Sequence, residues 1–180
     1  MDAGYGVEVS SGTYFGTGVR LGLGRTELSA MGCVGVLHPG RGATLSREVA
    51  EMGVEGAYRM RAWLDLTGGL RVRRYATVVA RQRWTAPHLG LAARTPFTLR
   101  GVRGLLGVTL HPFASVSGLS RPEFALTSRV GMEYGRGRLG VQLVYSLERY
   151  DFARGTSDQR LEQVSMLTLQ VQARARGRVP

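Results

Sequence analysis

Between Phe124 and Leu147 the chain alternates with a period of two, and this alternation limits its possible folds more than any other feature. Phe124, Leu126, Val130, Met132 and Tyr134 fall on one parity, with Ala125, Thr127, Arg129, Gly131 and Glu133 on the other. After Gly135–Arg136–Gly137 the pattern resumes: Leu139, Val141, Leu143, Tyr145 and Leu147 alternate with Gly140, Gln142, Ser146 and Glu148. Successive side chains of a strand point to opposite faces, so this period predicts two strands. The glycine-rich link between them predicts an antiparallel hairpin.

The same alternation recurs along the chain. Tyr5, Val7 and Val9 begin it, and Phe15, Thr17, Val19, Leu21 and Leu23 continue it opposite Gly16, Gly18, Arg20 and Gly22. Ser10–Ser11–Gly12 reads either as a turn or as a bulge in one long strand. Thr26–His38 is a weaker strand, ended by the turn chemistry of Pro39–Gly40–Arg41–Gly42. In Val49–Arg61, Met52, Val54, Tyr58 and Met60 oppose Glu51, Glu55, Arg59 and Arg61. A helix would set Glu51 and Glu55 in repulsion at i,i+4, whereas a strand places them with the arginines. Leu64–Val79, Arg81–Phe97, Gly101–Val116 and Leu161–Ala173 supply the remaining strands. Pro87 cannot donate to a ladder, so it is expected at a strand end or bulge. Thr95–Pro96–Phe97, Ser117–Pro122 and Asp151–Gln159 read as turns and loops.

Composition narrows the function classes. The 180 residues form one domain, read as a barrel over residues 1–174 and a basic tail over 175–180. Every cationic residue is Arg, and Lys, Asn and Ile are absent. A GC-rich coding bias explains that without invoking phosphate recognition. The formal charge of +11 invites a nucleic-acid reading. However, the arginines are dispersed through alternating segments and interleaved with Gly or Glu, and only Arg174–Arg178 is dense, so no nucleic-acid partner is expected. The single Cys33 excludes an internal disulfide. No stretch approaches the roughly 20 apolar residues of a membrane helix. Met1–Asp2–Ala3–Gly4 has neither the basic start nor the apolar run of a secretory signal.

A soluble barrel turns its apolar face inward and a membrane barrel turns it outward, which periodicity cannot distinguish. Two features favour lipid. The polar face combines glycine with opposed charges, as a narrow lumen would, and Glu51, Glu55, Arg59, Arg71, Arg103, Arg129, Glu133 and Glu148 are its candidate lining. Aromatics gather near segment ends, as in an interfacial girdle: Tyr14, Phe15, Trp63, Tyr75, Trp84, Phe97, Phe113, Tyr134, Tyr150 and Phe152. The run Val141–Phe152, the loop after it and the strand Arg160–Val171 resemble the closing hairpin of small bacterial outer-membrane β-barrel proteins. The resemblance implies an outer-membrane location, membrane lipid around the barrel and insertion by barrel-assembly machinery. This chain departs from that pattern in ending its last strand in Ala173–Pro180 instead of an aromatic residue, and in its start. The expected fold is all-β, a single closed antiparallel up-and-down transmembrane β-barrel of eight to ten strands.

Chemistry is sparse. His38, His88 and His111 are isolated in sequence, and a His111 pair with Ser115 or Ser117 is outweighed by a structural role. There is no metal-ligand spacing and no phosphate loop, and Glu148, Asp151 and Asp158 read as a solvated loop before a calcium site. No cofactor, metal or catalysis is expected. Three functions stand: a structural or interaction barrel with a filled lumen, a narrow anion-favouring pore, and a soluble barrel binding an apolar ligand or nucleic acid.

Overall fold

The computed structural model describes residues 9–95, 98, 101–136, 139–153 and 160–173. The expectations for Tyr5 and Val7, Pro96–Phe97, Gly137, Asp158 and the tail after residue 173 lie outside the described residues. Among those described, ten strands and no helix form: β1 (Ser10–Leu23), β2 (Thr26–Pro39), β3 (Arg47–Arg61), β4 (Leu64–Ala76), β5 (Arg81–Arg94), β6 (Val102–Leu110), β7 (Ser115–Val116), β8 (Phe124–Arg136), β9 (Leu139–Phe152) and β10 (Arg160–Ala173). All pair antiparallel in one curled sheet, in the order β1-β2-β3-β4-β5-β6-β8-β9-β10, with β7 paired to β5 alone. Ser10 pairs with Pro39 and β1 runs unbroken to Leu23, so Ser10–Ser11–Gly12 is neither turn nor bulge.

The expected single segment Gly101–Val116 divides into β6 and β7. β6 pairs with β5 as far as Leu89↔Leu110, and pairing resumes only at Thr85↔Ser115. Pro87 lies in that interruption. It sits mid-strand, not at a strand end, because the neighbouring ladder breaks where its missing donor falls.

The parity read from the sequence becomes the two faces of the sheet. Met52, Val54, Leu89, Leu91, Leu106, Val108, Val130, Met132, Leu167 and Leu169 are exposed on the convex side. Glu51, Asp65, Thr67, Arg73, His88, Thr109, Thr127, Ser146 and Glu148 are buried on the concave side. Glycines on the concave side let the sheet curl. A Cβ at Gly69 would stand 2.1 Å from the Val54 carbonyl oxygen, and one at Gly90 would stand 2.4 Å from that of Val108. Only a residue without a side chain lets the neighbouring strand approach so closely.

The sheet is open, which corrects the expected closed barrel. The nine strands of the main path explain this. With an odd number of up-and-down strands, β1 and β10 run in the same direction, so antiparallel closure of one edge on the other is impossible. Bacterial single-chain barrels meet this condition with even numbers. The concave side of β1 also offers Gly16, Gly18 and Gly22, which have no side chains to reach across the sheet.

The two ends differ in their connections. Residues 24–25 and 62–63 link their strands by two-residue turns at one end. At the other end residues 40–46 and 77–80 make longer connections, and residues 111–123, which contain β7, join β6 to β8.

Candidate functional site

The hollow of the sheet holds the chain's concentrated chemistry, in layers set by strand register. Register places Glu51 opposite Arg73 across β3 and β4, with Arg71 two residues away on the same face. Glu148 reaches both guanidiniums from β9, on the opposite wall. Arg73 Nη1 donates to Glu148 Oε2 at 2.9 Å, and Nη2 donates to Oε1 at 3.1 Å. Arg71 Nη1 also pairs with Glu148, and Arg71 Nε lies 3.4 Å from Glu51 Oε1. Arg73 Nε pairs with the other oxygen of Glu51. Two carboxylates and two guanidiniums neutralise one another, which a buried charge requires. The Tyr150 hydroxyl donates to Glu148 Oε2 at 3.2 Å, and Arg73 Nη1 donates to the Tyr75 hydroxyl at 3.3 Å.

Toward the long-loop end this cluster is capped by aromatic packing. Trp84, Tyr150, Phe152, Ala86, Ala114, Val116 and Ala125 form a buried cluster, with Tyr75 against it. Trp84 meets Tyr150 edge-on, with ring centroids 4.9 Å apart, and meets Phe152 at 6.0 Å. Ala114 and Val116 come from the segment around β7, which folds onto β5 and stops that end.

Toward the short-turn end a second layer follows. Glu55 Oε2 lies 3.3 Å from His88 Nε2 and 3.5 Å from Arg129 Nη2, and Arg129 also donates to Thr109 Oγ1 at 3.2 Å. His111, just past the end of β6, lies back at the level of Glu148, the register partner of Thr127, and its Nε2 is 2.8 Å from Thr127 Oγ1. Asp65 pairs with Arg94 and lies 3.6 Å from Arg59, making a third layer.

The candidate lining residues thus occupy different positions. Glu51, Arg71 and Glu148 meet in one cluster, Glu55 and Arg129 in a second, and Arg59 pairs with Asp65 in a third. Arg103 and Glu133 are cross-strand partners near the short-turn end, beside a cavity of about 280 Å³ that Gln142 and Gln172 also line. Arg103 is exposed and Glu133 half-buried. Arg73, which shares the parity of Arg71, joins the first cluster although it is not among the candidate lining residues. The aromatic girdle is corrected in part: Tyr75, Trp84, Tyr150 and Phe152 turn inward, while Phe15, Trp63, Phe113 and Tyr134 are exposed. Trp84 shares its parity with His88 and Gly90, a signal that pointed inward. His111 meets Thr127, not Ser115 or Ser117, and both partners are buried from solvent. Cys33 is half-buried opposite Glu51 and carries no disulfide. Among the described residues no group of three metal-ligating side chains converges.

No family model matches this chain, and no curated protein or solved structure matches it either.

Proposed function

We propose that the chain is an outer-membrane protein of β-barrel type, spanning the bilayer as its curled sheet, with a structural or interaction role and a lumen filled by its own side chains. The observation that carries this is the convex face. Leu167, Leu169 and Val171 are 69%, 68% and 73% exposed on β10, and Phe15 is 76% exposed on β1. Similar residues cover the convex face of the strands between them. Exposed apolar patches on soluble monomers rarely exceed a few hundred Å². The long strands contain 13 to 15 residues, apart from β6, and a tilted membrane strand needs about 9–11. Short turns at one end and longer loops at the other match the asymmetry of such proteins.

The pore reading is the less favoured alternative, because the aromatic cap and three ion-paired layers occupy the path a solute would take. The reading of a soluble barrel around an apolar ligand is disfavoured because the interior is charged. A membrane setting adds one requirement. Hydrocarbon cannot solvate unpaired backbone, so the edges of β1 and β10 must be satisfied there, in parallel with each other or by one further strand between them.

Folding into detergent tests the reading. The denatured chain diluted into detergent micelles is expected to migrate differently on a gel when unheated than when boiled. A chain that folds as a soluble monomer in plain buffer, with no heat-dependent shift in detergent, would overturn the proposal.

A further inference from the structure

Three arginines on the convex face take no part in the interior. Arg74 on β4 stands directly opposite Arg83 on β5, and both are exposed. Their chain neighbours Arg73 and Trp84 are buried in the hollow, so the two guanidiniums project from the other side. Arg81, two residues before Arg83, shares that face and is also exposed. None of the three forms an ion pair among the described residues. Glu48, a carboxylate one strand away from this row, is exposed and forms none either.

Like charges directly opposite on paired strands repel one another, and a bound anion relieves that repulsion. The backbone beneath is held in place: the Arg83 amide donates to Ser117 Oγ at 2.8 Å, and the Ser117 amide donates to the Arg83 carbonyl at 2.8 Å. Along the same strands, toward their middle, the convex face passes to exposed Leu70, Leu89 and Leu91. A cationic row therefore borders the apolar belt at its long-loop edge.

We infer that Arg74, Arg81 and Arg83 bind the phosphate of an anionic lipid headgroup in the leaflet at the long-loop end. The inference rests on the membrane-spanning reading above. Guanidinium forks suit a phosphate, offering several donors in one plane. A lipid fits better than a soluble anion, because the surface that would meet acyl chains begins beside the arginines.

The test uses the full chain folded into phosphatidylcholine vesicles with and without phosphatidylglycerol. Lipid retained after gentle detergent extraction is counted by native mass spectrometry, and the heat-dependent gel shift is read on the same samples. The wild type should retain phosphatidylglycerol in preference to phosphatidylcholine. The double variant Arg74→Gln/Arg83→Gln should lose about tenfold of that preference. Arg25→Gln, in the turn at the opposite end, should leave it unchanged. A preserved gel shift without lipid preference, or with equal preference in the double variant, overturns this site and leaves the membrane reading standing. Displacement of the lipid by millimolar inorganic phosphate would assign the arginines to a soluble anion and overturn the lipid assignment. Loss of the gel shift in every sample overturns both.

Discussion

Arg73 and Glu148 meet across the hollow of the sheet through two N–O contacts of 2.9 and 3.1 Å, although three other strands separate β4 from β9 along the path. This bidentate pair ties opposite walls together, and Glu148 also receives Arg71 and Tyr150. Replacing Glu148 with Gln would leave two buried guanidiniums short of one negative charge. Breaking a buried pair in this way costs about 3–5 kcal/mol. Urea unfolding of the detergent-folded protein should show a loss of that size. Arg160→Gln, which breaks the exposed pair with Glu162, should cost less than about 1 kcal/mol.

Curvature should respond to side chains at glycine positions. Gly69→Ala would drive a Cβ into the Val54 carbonyl and within 2.9 Å of His88 Cε1. Overpacking of this kind costs about 1–3 kcal/mol. Gly22 faces the same side of the sheet, but a Cβ there meets nothing within 4 Å. Gly22→Ala should therefore stay within about 0.5 kcal/mol of the wild type in the same unfolding measurement.

Orientation in the bilayer can be read from one strand. Leu169→Arg places a charge on the exposed convex face, and Thr168→Arg places one on the concave face. Insertion into lipid should be penalised by about 2–4 kcal/mol in the first case and less in the second. Equal folding yields of the two variants in phosphatidylcholine vesicles would contradict the proposed orientation.

Planar-bilayer recording should show no steady unit conductance from the wild type. In the proposed reading, paired charges such as Arg71 with Glu148 and the buried cluster around Trp84 fill the hollow that a solute would cross. Reproducible channels from purified protein would favour the pore reading over the filled one.

Hydrogen exchange in lipid vesicles should protect amides of β1 and β10 as well as those of β4. Fast exchange along either edge in the membrane-bound protein would mean that hydrocarbon faces unpaired backbone, which the membrane reading does not allow.

Much of this fold was legible in residue parity. The alternation of Met52 and Val54 with Glu51 and Glu55 is the division between convex and concave faces, because a strand has only two sides. The pairing of Glu148 with Arg71 and Arg73 was not legible. It joins residues more than seventy positions apart, and no local pattern encodes which layer of a hollow they share. Tyr150 and Phe152 misled for a related reason: position near a strand end says nothing of which face an aromatic takes, whereas parity with Glu148 did. The open seam was not legible in parity, because it follows from the odd number of strands on the path, and the interruption near Pro87 divides one of those strands without changing that count.

That odd count also decides where the ends of the sheet lie. Ser10 starts β1 beside the long loops and Ala173 finishes β10 beside the short turns, so an epitope ahead of the first strand and another behind the last would face opposite compartments of a bilayer. For a sheet that spans the membrane as proposed, an antibody or protease added from one side would reach only one of them.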